Sequence, residues 1–140
     1  MKRYLYIIGA LLLSATALQA QELRFAWLAD THISMKGQAA EDLKLCIRDM
    51  NENTRPDFVI CAGDITNFGS DEELAFAKEL LDALEMPYYA VAGNHDATWS
   101  ESGCNSVVKT FGYEQFDFSV GGWRFLGCTS GPNMRMAPAL

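Results

Sequence analysis

Histidine is nearly absent from this chain. Its 140 residues hold two, His32 and His95, so any metal site must lean on oxygen donors. The four cysteines, Cys46, Cys61, Cys104 and Cys128, are too widely spaced for a CxxC pair, which leaves a zinc knuckle or redox motif unsupported. No apolar run reaches the about 20 residues that a membrane-spanning helix needs. Basic residues are few, 11 against 18 acidic ones, and the formal net charge is −7. That balance disfavours binding to a nucleic-acid backbone. It leaves room for a small anionic substrate, because a bound cation reverses the local field. There is no internal repeat, no linker and no low-complexity stretch. With 49% apolar and 21% charged residues, the composition is that of one ordinary globular domain, and disorder and collagen are excluded.

The first 20 residues carry an address. Lys2 and Arg3 form a basic start, Leu5 to Leu13 an apolar run, and small residues follow up to Ala20. This is the layout of a secretory signal peptide cleaved after Ala20, or as second choice after Ala17. The expected product is periplasmic or secreted, spans residues 21–140, has no stable membrane anchor and carries a charge of about −9. Export permits disulfides, and four cysteines allow three pairings among which the sequence does not choose. Cys46 on a helical stripe and Cys61 at a strand end read as small buried hydrophobes.

Three apolar runs read as strands: Leu23 to Ala29, Asp57 to Ala62 and Tyr88 to Ala92. Between them lie two amphipathic segments. Residues 38–52 place Ala39, Leu43, Ile47 and Met50 on one helical face. Ser70 to Glu73 is a capping box that opens a second helix, with Leu74, Ala77, Leu81 and Leu84 on one face and Pro87 as its stop. The order βαβαβ predicts a parallel sheet with helices packed against it. Residues 97–105 read as a polar stretch and 106–111 as a short helix. Glu114 to Val120 and Trp123 to Cys128, joined by Gly121-Gly122, read as a hairpin.

Each strand ends in polar residues of one kind: Asp30-Thr31-His32, Gly63-Asp64, and Gly93-Asn94-His95-Asp96. Ligands of open α/β sheets bind outside the carboxyl ends of the strands, and these ends share one edge. Alone, Gly-Asp is an ordinary turn and Asp-x-His an ordinary cap. All three in order, each one βαβ unit from the next, form a set. Crowded carboxylates with imidazole and no thiolate suit Mn²⁺, Fe, Zn²⁺ or Mg²⁺. A pair of such ions can activate water and clamp a phosphoryl group.

These motifs resemble the first three of the calcineurin-like metallophosphoesterases, over about Leu23 to Cys128. The resemblance implies an α/β fold, the N-terminal part of a four-layer α/β/β/α sandwich around two divalent ions. It implies a small phosphate ester as substrate. By motif position, Asp30 and His32 match ligands of the first ion, Asp64 the bridging ligand, and Asn94 a ligand of the second. His95 matches the phosphate-binding histidine and proton donor, with Asp96 as the carboxylate that orients it.

One departure stands beside the match. The family pattern continues with a further histidine and a Gly-His-x-His motif, and no histidine follows His95 here. The expectation is a truncated phosphoesterase chain, with an inactive fragment that binds one metal or none as the alternative.

Overall fold

A computed structural model describes residues 22–98 and 104–129. The proposed signal segment, residues 99–103 of the polar stretch and residues 130–140 lie outside the described residues. The three expected strands are β1 (Phe25–Leu28), β2 (Phe58–Ala62) and β3 (Tyr88–Val91). They pair in parallel in the order β1-β2-β3, with Phe25 opposite Phe58 and Val59 opposite Tyr88. Strand alternation then sorts the side chains. Ala26, Leu28, Val59, Cys61, Tyr88 and Ala90 join the core under the helices. Phe25, Phe58 and Tyr89 belong to the opposite face.

Helix α1 (Ala39–Asp49) packs Ala40, Leu43 and Ile47 into that core, and a π-helical turn, Met50–Thr54, adds Met50. Ala39, the expected start of the stripe, is half-buried against the same core, beside the fully buried Ala40. Cys46 is exposed, not buried as its position suggested, since it stands one residue off the Leu43–Ile47 line. Cys61 is buried as expected.

Helix α2 (Asp71–Leu81) opens as its capping box predicts: the Glu73 amide donates to Ser70 Oγ at 3.1 Å. The Glu73 carboxylate reaches past Ser70 to accept from the Phe68 amide at 2.8 Å. The helix stops at Leu81, well before Pro87. The amides of Ala83 and Leu84 bond three residues back and tighten the chain out of the helix. Asn51 then fastens this connection, donating to Ala83 O and accepting from Glu85 N.

The third motif begins α3 (Asn94–Thr98), a short helix where the sequence suggested only polar chain, and α4 (Cys104–Phe111) follows. The predicted hairpin forms as β4 (Gln115–Val120) and β5 (Trp123–Cys128). Gly121 and Gly122 both take positive φ, 57° and 80°, which a two-residue hairpin turn of this hand requires. Phe116, Phe118 and Phe125 of the hairpin lie against Phe25, Phe58 and Tyr89. The described residues therefore form helices, a parallel sheet and a β-hairpin in three successive layers. No helix among them is long and apolar enough to cross a membrane.

Candidate metal centre

Pairing of the first two strands does not stop where the strands stop. The Asp30 amide donates to Gly63 O at 3.1 Å, His32 N to Asp64 O at 3.0 Å, and Ile33 N to Ile65 O at 2.8 Å. Thr31 Oγ1 adds a bond to Ile65 O at 2.8 Å. The Asp-Thr-His and Gly-Asp motifs are zipped side by side.

Three residues of this zip hold left-handed backbone. Asp30 has φ 53°, His32 46° and Asp64 47°. Asp and His tolerate this region better than most residues, at a cost of roughly 1–2 kcal/mol each. Among the described residues only Arg55 joins them outside glycine, at the end of the π-helical turn. Such backbone collects at functional sites, where it turns side chains off the strand alternation.

The third strand end is bound to the second through Asp64 and Asp96. The His95 amide donates to Asp64 Oδ1 at 2.8 Å. Gly93 makes room for this: a Cβ there would overlap the Asp64 amide and carboxylate. Asp96 is fully buried and acts on backbone. Its Oδ2 accepts from Ile65 N (3.0 Å) and Gly93 N (2.8 Å). Its Oδ1 accepts from Thr66 N and Thr66 Oγ1, both at 2.8 Å. The sequence reading pairs Asp96 with His95, whereas these four bonds run to backbone and to the Thr66 hydroxyl. The two are successive residues of α3, and neighbours on a helix point about 100° apart.

The Nδ1 atom of His95 meets a carbonyl, Asn67 O, at 2.7 Å. A carbonyl only accepts, so Nδ1 carries the proton. Asn67 and Thr66 were not singled out in the sequence. Their signal was faint, two polar residues just after Gly63-Asp64.

The result is a convergence. One ligand atom each from His32, Asp64 and His95 lies within 4.8 Å of the others. The two imidazoles meet edge to face with centroids 4.5 Å apart. His32 Nδ1 is buried and has no hydrogen-bond partner. Two imidazoles and a carboxylate, with one ring nitrogen unsatisfied, fit a divalent transition-metal ion. Asp30 and Asn94 stand at the same edge and are exposed, and the Asp30 carboxylate is outside the converging group.

Comparison with known proteins finds relatives named as phosphodiesterases. The chain is 40% identical over 77 residues to the "Probable glycerophosphodiester phosphodiesterase GpdQ" of Arcobacter nitrofigilis, covering 49% of this chain and 28% of that protein. It is 48% identical over 42 residues to the "Glycerophosphodiester phosphodiesterase GpdQ" of Enterobacter lignolyticus, covering 30% and 15%. It is 34% identical over 73 residues to the "Probable cyclic nucleotide phosphodiesterase" of Moraxella catarrhalis, covering 51% and 26%. The matched stretches thus span under a third of each relative's length. Residues 23–131 match the family model of the calcineurin-like phosphoesterases. That match takes in the sheet, its three polar strand ends and the hairpin together, and the chain belongs to this family.

Proposed function

We propose that this chain contributes the metal-facing strand ends of an exported phosphoester hydrolase acting on small phosphodiesters. The observation that carries the reading is the convergence of His32, Asp64 and His95 at the carboxyl edge of the sheet. The relatives named as phosphodiesterases support the diester class. Export rests on the first 20 residues.

Divalent ions held here supply Lewis acidity and lower the pKa of water. His32 and Asp64 bind such an ion, and Asp30 and Asn94 extend the ligand set along the same edge. Asp96 and Gly93 set the position of Asp64. When its ring is protonated, His95 donates a proton from Nε2 to the departing oxygen, while Asn67 O holds Nδ1. A diester suits this edge, because it carries one negative charge and asks for less positive charge than a monoester dianion.

The test measures Mn²⁺-dependent release of nitrophenol from bis(p-nitrophenyl) phosphate and from p-nitrophenyl phosphate. The diester is expected to turn over faster, and Asp64→Asn to lose at least about 100-fold in rate. Undiminished activity in Asp64→Asn sinks the reading. Metal binding without any turnover favours a binding-only chain.

A further inference from the structure

We infer that two copies of this chain pair through the free edge of β1, antiparallel about a two-fold axis at Trp27. The inference does not rest on the metal chemistry.

The edge comes first. Among the described residues β1 has one neighbouring strand, β2, and its other side is open. The bonds on the inner side fix which residues face that opening. Arg24 O accepts from the Asp57 amide, and the Asp30 amide donates to Gly63 O. Alternate residues of a strand bond to opposite sides, so Phe25, Trp27 and Ala29 turn N–H and C=O to the open side. Nothing in Phe25–Leu28 blunts this edge: it holds no proline, no charge and no bulge. The same strand exposes large apolar rings, Phe25 at 45% and Trp27 at 61%.

Backbone parity then limits the register. An antiparallel bonded pair needs facing groups on both strands, so Phe25, Trp27 or Ala29 must stand opposite one of themselves. With Trp27 opposite Trp27 of the second copy, Phe25 stands opposite Ala29, and every bonded pair closes. The Trp27 rings meet at the axis, and Phe25 lies diagonal to the other copy's Trp27, within aromatic reach. On the opposite face Ala26 meets Leu28, small against large.

Charge selects this register from its neighbours. It puts Arg24 opposite Asp30 at one end and, by symmetry, at the other. Both residues are exposed. Sliding the strands by one bonded pair puts Arg24 opposite Leu28 or His32 and loses the match. Arg24 bonds Glu22 through Nε, which leaves its terminal nitrogens for a facing carboxylate. The Asp30 carboxylate lies outside the converging group of the metal centre. An edge with a cation at one end, an anion at the other and an aromatic between them is complementary to itself when turned by a two-fold. A second copy is therefore the occupant that fits.

The experiment is sedimentation equilibrium of the purified chain, joined to disulfide mapping. We expect a concentration-dependent dimer. Arg24→Glu sets like charges opposite each other at both ends and should weaken it at least about tenfold. Adding Asp30→Lys to Arg24→Glu restores the attraction and should recover most of that loss. Bonded antiparallel residues have Cα atoms about 5.5 Å apart, within disulfide range. Oxidised Trp27→Cys should therefore yield a link between position 27 of two copies, read by peptide mass analysis. A chain whose dimer constant is weaker than about 1 mM overturns the inference. So does a dimer that Arg24→Glu leaves equally tight, or one that links through Cys46 or Cys128 and not through position 27. The unmodified chain alone decides whether a dimer exists, so a variant that disturbs folding does not shelter the inference. No turnover or metal binding is read, and failure here leaves the phosphodiester reading standing.

Discussion

Asp96 is the residue on which the strand-end loops depend most. Its carboxylate accepts four hydrogen bonds from Ile65, Thr66 and Gly93 while fully buried. An asparagine there keeps one acceptor and turns an amide toward donors that have nowhere else to go. Asp96→Asn should cost about 3 kcal/mol in urea unfolding. A loss below about 1 kcal/mol would show that the loops stand without it. The residue types at this site were legible in the sequence, because chemistry is written in residue identity. Their partners were not. Asp96 lies beside His95 along the chain, but helical rotation turns it onto the neighbouring loop. The carbonyl that holds His95 belongs to Asn67, and no side-chain code announces a backbone atom.

Elements were legible wherever a local rule governs them. Ser70 caps α2 as its sequence signature predicts, and Ser70→Ala should cost about 1 kcal/mol in thermal or chemical unfolding. The helix ends and the flanks of the helical faces followed tertiary packing instead. Cys46 shows this: one residue off the buried line of α1, it meets solvent, while Cys61 in β2 is enclosed. Burial pushes the Cys61 thiol up to about 12, so almost no thiolate exists near neutral pH. Iodoacetamide followed by peptide mass analysis should modify Cys46 readily and Cys61 only after unfolding. Equal rates in the native protein would contradict this packing. Beyond α2, Asp82 accepts from Lys78 Nζ and the Tyr88 hydroxyl and so links the helix to β3. The hydrogen bond from Lys78, then that from Tyr88, holds the Asp82 carboxyl below its usual value. A lowered folded pKa gives stability that is present above the unfolded pKa and is lost as pH falls through the folded one. Asp82→Asn should therefore destabilise at pH 7 by less than about 1 kcal/mol, since the pair is half exposed, and the difference should vanish in strong acid.

At the scale of the whole molecule, the aromatic layer joins sheet and hairpin. Phe58 stacks on Phe25 at 5.2 Å and meets Phe118 and Phe125 edge-on at 5.1 and 4.8 Å. Phe58→Ala should cost about 3–5 kcal/mol. Denaturant unfolding checks this, and a loss near zero would mean that the hairpin is not held by that ring. Strand order and hairpin were readable from spacing and turn chemistry. The stacking of one on the other was not, because alternation says which residues share a face and not what that face meets. The left-handed backbone of Asp30, His32 and Asp64 has a bearing on the molecule as a whole. These positions are most comfortable as glycine, and Asp30 is exposed, with its carboxylate outside the converging group. Asp30→Gly should raise the melting temperature by a few degrees, about 1 kcal/mol of relieved backbone. The motif that gives this edge its chemistry is thus a local debit in folding. Selection for thermal stability alone would erode it, so its presence in the sequence points to a use that outweighs that loss.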